Sequence, residues 1–597
     1  TLSEAEGVVS KIKKYKSAPS LGEWRNIITT IGDEIGHGGT IFQQQADKLG
    51  EYIRINNPNY NVEKIILDAY QVLSTPGGDR YPDVNAAILN RINNGTLAIS
   101  YTGHGGIANL SNARIFNLND IQLLKNEYRL PLFITATCEF SKYDDPEKKS
   151  AGEFLMTNSM GGGIGLITTV RPVFSDANDA LQDALFNKLF EQFHGEKPTM
   201  GDLMTNTKNY IMNGTDIENT RKFVFLGDAA LKLNYPEYNV VSTEINNTPI
   251  GLSTDTLKAL KQVTIKGEVQ DWTGNRLTTF NGTCNPLVYD KLSSFKSLGN
   301  VPGYPIQAFN AYKNILFKGA CSVTNGTFEY SFIVPSDINY QIGDGRISYY
   351  ADNGDQIDAH GYDNSIKIGG AEDTFNIDTT GPQVQLYMDS ITFEFGGLTD
   401  ENPKMFGLLE AKGGINTTGN GLGHDITAIL DGDAKNPIIL NEFYRSDLNN
   451  FRKGKVEYPF SKLAEGKHSL KLKAWDIYNN SGEAYTEFVV SNSAKLALTH
   501  VWNYPNPVID KTCFSFEHNC ADEQFTVDIK IYSVQGVMVK RINQTLDADG
   551  FRVDCIEWDG LDNGGASIGK GVYVYKLTLI DAKGNAVQKT ERLVVLK

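Results

Sequence analysis

The sequence contains no apolar run of the length that a membrane-spanning helix needs, and no run of lysine and arginine. A helix needs about 20 mainly apolar residues to cross a bilayer, so the first absence excludes such a helix. The second absence, with a net charge of −15, argues against nucleic-acid binding, because phosphates are bound by basic surfaces. Residues 1–4 also lack the basic and apolar segments of a signal peptide. The first residues resemble the interior of a domain, and we therefore expect that an N-terminal portion is missing.

Cysteine is scarce, at six residues in 597. If Cys138 is a free thiol, at least one of the other five is unpaired as well. Cys284 with Cys321, and one pair among the last three cysteines, could form disulfides in an oxidising compartment, and the spacing leaves both pairings open. The last three are Cys513, Cys520 and Cys555.

The length predicts about three to five domains, since domains usually have about 100–200 residues. In residues 1–236, apolar runs alternate with amphipathic helical patterns, which indicates strand–helix–strand crossovers and a mostly parallel sheet. The expected strands are 26–31, 64–68, 96–101, 132–137, 164–170 and 223–226. The expected helices are 41–55, 84–93, 118–126, 151–160, 178–192 and 200–212, preceded by the end of a helix at 8–15.

After residue 236 the helical periodicity almost vanishes. Short alternating segments appear instead, separated by Gly, Asn, Asp and Pro, and this pattern is typical of β-sandwich domains. We therefore predict a multidomain chain in which an α/β domain (1–236) is followed by three Ig-like β-sandwich domains at 237–380, 381–495 and 496–597.

Two of the expected strands in the α/β domain end in residues that can carry chemistry. His104 follows the strand at 96–101 with a glycine on each side, and Cys138 follows the strand at 132–137. If these strands are neighbours, the imidazole can deprotonate the thiol for attack on a carbonyl. The N–H groups of Gly105 and Cys138 could then form an oxyanion hole. The alternative is a buried, inert cysteine and a histidine in an ordinary turn.

Three segments resemble the gingipain family of cysteine peptidases. They are YTGHGG at 101–106, ATCEF at 136–140 and FLGDAAL at 225–231. The resemblance covers roughly residues 10–235 and implies a caspase-like fold with a Cys/His dyad formed by Cys138 and His104. The family's catalytic domain has two subdomains, and this chain resembles the second of them.

The resemblance also implies an acidic residue on an earlier strand-end loop that orients the histidine. In the loop at 31–39, Glu34 is our choice for this role and Asp33 is the next candidate, while a solvated acidic loop is the alternative. His37 is on the same loop and could line the cleft, although its strand is not expected beside that of Cys138.

Glu139, Val170 and Arg171 are further candidates for the substrate pocket, together with Asp33 and His37. Gingipains cleave after Arg or Lys by means of an acid at the base of the pocket, and residues 35–45 contain no clear counterpart. Arg171 would repel a basic side chain. We therefore predict a preference for small or uncharged residues before the cleaved bond.

The last 100 residues resemble the C-terminal sorting domain of type IX secretion in Bacteroidetes. The segments that carry this resemblance are WNYPNPV at 502–508, WDG at 558–560 and GKGVYVYKL at 569–577. A gingipain-like domain with a retained sorting domain implies a sortase at the cell surface, associated with the outer membrane. Its implied partners are cargo proteins with sorting domains, a PorV-like outer-membrane β-barrel protein that holds residues 496–597, and lipopolysaccharide as the acyl acceptor.

Two other functions remain open. One is a secreted gingipain-like endopeptidase whose own sorting domain is removed, and the other is a non-catalytic surface adhesin on a degenerate peptidase fold. We expect no cofactor. Structural calcium at Asp144 and Asp145, or at Asp559 and Asp562, is an open alternative to solvated turns.

Overall fold

The computed structural model describes residues 1–34, 39–192, 196–212, 217–252, 256–372, 378–419, 423–491, 496–519, 524–547, 552–581 and 584–596. The chain divides into two compact units. The first consists of Thr1–Val334 with Ile338–Asp373, and the second consists of Pro335–Asp337 with Thr374–Lys597. Among the helices of these described segments, none combines the length and the apolar character required to span a bilayer.

The first unit begins with an α/β region built on a six-stranded sheet. In spatial order its strands are Phe223–Gly227, Gly165–Thr169, Leu132–Ala136, Ala98–Thr102, Ile27–Gly32 and Asn61–Ile66. All neighbours pair in parallel except Phe223–Gly227, which lies antiparallel at one edge. The predicted α/β fold with a mostly parallel sheet is confirmed.

Helices cover both faces of this sheet, so its strands are buried on both sides. Leu132 and Ile134 enter one apolar core, while Phe133 between them enters the other. This alternation explains why the strands read as continuous apolar runs. The helices are Leu2–Tyr15, Ile41–Asn56, Pro82–Asn94, Leu118–Gln122, Ala151–Thr157, Ser175–Leu189, Met200–Met212 and Ile217–Arg221, with 3₁₀ turns at Ala18–Ser20, Glu23–Asn26 and Leu67–Ala69. Short strands lie at Leu73–Thr75, Gly78–Arg80, Gly105–Gly106, Asn109–Leu110 and Phe116–Asn117.

The same unit continues into a β region with one large sheet and two small ones. Strand Tyr238–Ile245 pairs with Gln262–Gln270 on one side and with Asp358–Asp363 on the other, so the large sheet closes on itself. Its other strands are Thr248–Pro249, Gly282–Tyr289, Ile315–Lys318, Cys321–Thr324, Thr327–Ile333 and Arg346–Asp352. The small sheets contain Thr256–Ala259, Gly343–Asp344 and Lys367–Ala371, and Ser293–Lys296 with Ala308–Ala311.

A buried ion pair joins this β region to the α/β region. Arg25 Nη1 lies 2.7 Å from Asp358 Oδ2, and the two side chains are 8% and 4% exposed. Asp358 also accepts a hydrogen bond from Tyr350 Oη. Buried charges are tolerated only when they are paired and hydrogen-bonded, so this contact fixes the position of the β region against the α/β region.

The second unit contains two pairs of sheets, and each pair encloses one apolar core. The first pair comprises Gln383–Met388, Lys404–Glu410, Tyr444–Asp447 and Asn450–Pro459, facing Gly397–Thr399, Thr427–Leu430, Ile438–Ile439, Gly466–Trp475 and Ser481–Val490. A 3₁₀ turn lies at Asn441–Phe443. The second pair comprises Leu498–Tyr504, Thr512–His518 and Arg552–Trp558, facing Gln524–Ser533, Met538–Asp547, Gly571–Asp581 and Ala586–Val595. The predicted largely β character of the chain after the α/β region is confirmed, while the number and bounds of the β-sandwich domains stay a prediction.

The cysteines take three different states. Cys513 and Cys555 form a disulfide, which is one of the pairings left open by the spacing. Cys284 and Cys321 are buried free thiols that stand opposite each other on paired strands. Cys138 is a half-buried free thiol, and Cys520 lies outside the described residues.

Candidate active site

His104 and Cys138 follow neighbouring strands of the parallel sheet. Thr102 and Ala136 are the last opposed pair of the strands Ala98–Thr102 and Leu132–Ala136. His104 and Cys138 each lie two positions beyond that pair, so they are level at the same rim, on strands about 4.8 Å apart. No hydrogen bond joins Cys138 Sγ to the imidazole within the described part of the chain, where the thiol contacts a backbone group instead.

The main chain of His104 is held from both sides. Its N–H donates to Asp33 Oδ2 at 2.7 Å, and its carbonyl accepts from Tyr101 Oη at 2.5 Å and from the Ser111 N–H at 2.8 Å. The imidazole packs edge-on against the ring of Phe42, with centroids 5.1 Å apart. These contacts fix the loop that carries the imidazole and leave its two nitrogens without a partner among the described residues.

Asp33 is a fully buried carboxylate that receives a hydrogen bond on each oxygen. Oδ1 accepts from the N–H of Glu34 at 2.8 Å, and Oδ2 accepts from His104. Burial raises the pKa of Asp33, while hydrogen bonds from Ser111, Glu34 and His104 oppose the rise. A Cβ at Gly103 would lie 2.2 Å from the Asp33 Cβ, so this approach requires glycine. Asp33 thus acts on the backbone of the histidine loop.

Glu34 lies half-buried beside Asp33, with the Asn112 side chain near its carboxylate. Burial, with smaller contributions from the charges of Asp33 and Asp79, raises the pKa of Glu34 to about 7. Within the described residues it makes no hydrogen bond to the imidazole. Its predicted role in orienting His104 therefore stays a prediction.

The Cys138 thiol lies against the backbone of Val173, in the loop after the next strand, Gly165–Thr169. The Val173 N–H donates to Sγ at 3.5 Å, and Sγ lies 3.8 Å from the Val173 carbonyl oxygen. The backbone turns sharply after Cys138, since Glu139 has a φ of +54°. The Cys138 N–H has no acceptor among the described residues, so it is available to bind an oxygen of a substrate.

Asn219 holds the loop that carries Val173. Its Oδ1 accepts the Phe174 N–H at 2.8 Å, and its Nδ2 donates to Asn178 Oδ1 at 3.0 Å. Asn219 is fully buried, although it belongs to the short helix Ile217–Arg221. Sequence analysis missed this residue because an asparagine in a short polar segment gives no signal until its burial is known.

The other described pocket candidates each have a partner of their own. Glu139 pairs with Lys142 at 2.9 Å, and the Val170 N–H donates to the Lys222 carbonyl at 3.2 Å. Arg171 makes a two-pronged contact with Asp144 at 3.0 and 2.5 Å. Asp144 thus largely compensates the charge of Arg171, which weakens the expected repulsion of a basic substrate side chain. The preference for small or uncharged residues before the cleaved bond stays a prediction. His37 lies outside the described residues.

Gly105 lies directly against Thr137, the residue that precedes Cys138. An added Cβ would come within 2.5 Å of Thr137 Oγ1, and Gly105 pairs with Leu110 in a small hairpin. The chain can approach the end of the cysteine strand this closely because residue 105 has no side chain. Its backbone is therefore a candidate for the second half of an oxyanion hole.

The acidic clusters considered for calcium are engaged in local contacts. Asp144 pairs with Arg171, while Asp559 accepts the Leu561 N–H, and Asp562 accepts the N–H groups of Gly564 and Ala566. The contacts of Asp559 and Asp562 are those of ordinary Asx turns.

Neighbouring parallel strands that bring a cysteine and a histidine to one rim place a potential nucleophile near a potential base. Residues 1–234 match the model of peptidase family C25. This part of the chain is therefore similar to peptidase family C25.

Solved structures similar to this chain include dimeric latent PorU from Porphyromonas gingivalis, at 29% sequence identity and a TM-score of 0.29. That match covers 68% of this chain and 39% of the other, so the chain spans 39% of the length of the PorU chain. Another is the Arg-specific cysteine proteinase gingipain R (RgpB), at 14% identity, covering 62% of this chain and 73% of that one, with a TM-score of 0.34. A third is the complex of P. gingivalis RgpB pro- and mature domains, at 14% identity, 60% and 73% coverage and a TM-score of 0.31. No curated protein matches the chain.

Proposed function

We propose that the α/β region cleaves polypeptides with Cys138 as nucleophile and His104 as its base. The observation that carries this proposal is the register of the two residues at one rim, inside a region that matches peptidase family C25. Cys138 is also the half-buried thiol of the described chain, whereas Cys284 and Cys321 are fully buried. Thiolate chemistry needs access to a substrate, and only the first of these thiols has it.

In the proposed reaction, the imidazole removes the thiol proton and the sulfur attacks the scissile carbonyl carbon. The N–H groups of Cys138 and Gly105 hold the oxyanion, and His104 then protonates the leaving amine. The Val173 N–H already contacts Sγ and would stabilise its charged form, because hydrogen bonds to ions are stronger than neutral ones. Water or an amine resolves the thioester.

For the whole chain we propose a cell-surface sortase of the PorU kind. It would remove C-terminal sorting domains from type IX secretion cargo and transfer the new C-terminus to an amine of anionic lipopolysaccharide or to water. Support comes from the presence in one chain of a C25 region and a final β domain whose sequence resembles a sorting domain. Outer-membrane association and a PorV-like partner for residues 496–597 belong to this proposal. Because water is at about 55 M, transfer requires a site that binds the amine well.

The test combines the purified chain with a cargo protein that ends in a sorting domain and with glycylglycine as amine acceptor. We expect cleavage of the cargo and a product whose mass includes the acceptor. Cys138→Ala and His104→Ala should each lower the rate by at least about 10³-fold. Cys284→Ala is the matched control, since it removes a thiol of the same chain that the proposal does not use.

Three results would decide against parts of this proposal. Cleavage that survives Cys138→Ala excludes the nucleophile assignment. Cargo that stays uncut while unstructured peptides are cleaved excludes the sortase and favours an endopeptidase. Failure of a thiol-reactive probe to label Cys138, with no cleavage of any peptide, favours an adhesin.

A further inference from the structure

A hairpin of the β region reaches the catalytic rim. Strands Ser293–Lys296 and Ala308–Ala311 pair with each other, and the segment 297–307 connects them. The rings of Phe295 and Phe309 pack at a tilt of 39°, with centroids 5.5 Å apart. They pack with Ala46 of helix Ile41–Asn56 and with Ile66, the last residue of the edge strand. The hairpin is therefore seated on the α/β region.

Backbone hydrogen bonds fix the start of the connecting segment. The N–H of Leu298 donates to the Asp68 carbonyl at 2.6 Å, and the N–H groups of Gly299 and Asn300 donate to the Asp68 carboxylate at 3.2 and 2.9 Å. Asp68 is buried and lies just beyond the carboxyl end of strand Asn61–Ile66. At the other end of the segment, Gln307 accepts from Gln44 at 3.2 Å. The segment thus extends the rim that carries His104 and Cys138.

The exposed part of this segment is apolar. Leu298, Tyr304 and Ile306 are 46%, 41% and 59% exposed. Residues 297–307 contain no charged side chain, although 21% of the chain is charged. A solvated loop would not need this composition, and clustered exposed apolar side chains mark binding surfaces.

Two structural relations place this surface near the candidate active site. The Tyr304 ring lies 3.3 Å from the position of a Cβ on Gly39, and Phe42, three residues further, packs on the His104 imidazole. In the sheet, one strand separates the edge strand from the histidine strand. At about 4.8 Å per strand, the edge strand is about 15 Å from the cysteine strand, a span that an extended peptide covers in about four to six residues.

We propose that residues 297–307 form a substrate-binding exosite, with Leu298, Tyr304 and Ile306 contacting apolar or aromatic side chains of the polypeptide substrate about four to six residues from the scissile bond. The exosite rests on the proposed peptidase function. It assigns part of substrate selection to the β region, which supplies no group to the proposed chemistry.

The test uses a library of random-sequence 16-residue peptides with mass-spectrometric identification of the cuts. The wild-type protein should show enrichment of apolar and aromatic residues about four to six positions from the cut. The positions of the cuts also show on which side of the scissile bond this enrichment lies. The double variant Tyr304→Ala, Ile306→Ser should lose this enrichment. Its ratio of kcat/KM for a long peptide over a truncated one should fall by about tenfold, mainly through KM. Trp272→Ala is the matched control, since this side chain of the same β region is 78% exposed.

A second readout separates this proposal from the chemistry. A fluorescent long peptide should bind the Cys138→Ala protein, and the added Tyr304→Ala and Ile306→Ser changes should weaken that binding by about tenfold. Equal binding with and without the two changes overturns the exosite. If the wild type cleaves no peptide but binding is still lost with these changes, the peptidase proposal is overturned, and residues 297–307 are a peptide-binding surface rather than an exosite.

Discussion

The first unit and the final β domain, residues 496–596, use polar groups in different ways. In the first unit, the buried carboxylates of Asp33, Asp68 and Asp358 each accept hydrogen bonds from a separate element of the chain. In the final β domain, Lys511 and Glu557 pair at the surface, and the buried Asp528 and Glu517 contact Arg541 and His500, whose side chains are about half exposed. An apolar core and the Cys513–Cys555 disulfide hold that domain together. A buried polar group is costly when a partner is lost, so the first unit depends on particular residues and the final domain on apolar area and a cross-link.

Breaking the buried ion pair should have the largest effect on stability. Asp358→Ala leaves Arg25 charged and buried, and we expect the free energy of unfolding of the first unit to fall by about 3–5 kcal/mol. Urea unfolding followed by tryptophan fluorescence measures this. Replacing both partners, Arg25→Met with Asp358→Leu, should cost clearly less. Equal losses of unfolding free energy in the single and double variants would show that Asp358 does not stabilise the fold as the charge partner of Arg25.

Removing the disulfide tests the other half of the comparison. Cys513 and Cys555 are 42 residues apart, and opening a loop of this length should lower the free energy of unfolding of the second unit by about 2–4 kcal/mol. Calorimetry of the Cys513→Ala, Cys555→Ala protein should show that the second unit unfolds at a lower temperature than in the wild type. The rates of peptide cleavage should be unchanged. A transition at the wild-type temperature would mean that the apolar core alone sets the stability of this domain.

Asp33→Asn should damage the candidate site without removing any volume. Both carboxylate oxygens accept backbone N–H groups, so an amide nitrogen must face a donor on one side. We expect a loss of about 1–3 kcal/mol and a fall in kcat of at least about tenfold, because the His104 loop is no longer held. Asp79→Asn, on the exposed hairpin nearby, is the control. Full activity in Asp33→Asn would show that the loop does not need this contact.

Glu34→Gln should have the smallest effect, and one that depends on pH. The pKa of Glu34 is raised to about 7 in the folded chain, so its protonated form is favoured by folding. The stability linked to this group is present at low pH, below about 4.5, and is lost as the pH rises through about 7. The melting temperature of the wild type relative to Glu34→Gln should therefore fall between pH 5 and pH 8. A difference that stays constant over this range would exclude a raised pKa at Glu34.

The regular elements were predictable where local pattern decides them. The helix Met200–Met212 lies where its periodicity placed it, and the strand Leu132–Ala136 matches the apolar run at 132–137 to within one residue. The helix expected at 118–126 ends at Gln122, and the helix Ile217–Arg221 was not predicted. Elements this short owe their stability to tertiary packing, which leaves little trace in local sequence.

The sequence was enough to select candidate reactive residues, and it was not enough to select the residues that support them. His104 and Cys138 could be selected because each follows an apolar strand, and the carboxyl ends of parallel strands meet at one edge. The roles of Val173 and Asn219, and the hydrogen bond from the His104 N–H to Asp33, could not be predicted. Each depends on contacts between residues far apart in the chain.

By itself, the sequence determined the longer strands and helices and the candidate reactive residues at two strand ends, because backbone periodicity and side-chain type are local properties. Only the tertiary structure decided the order of the strands, and with it which carboxylate holds the histidine loop and which backbone group contacts the thiol. The physical reason is that hydrogen bonds between distant segments form only after the sheet has placed those segments side by side.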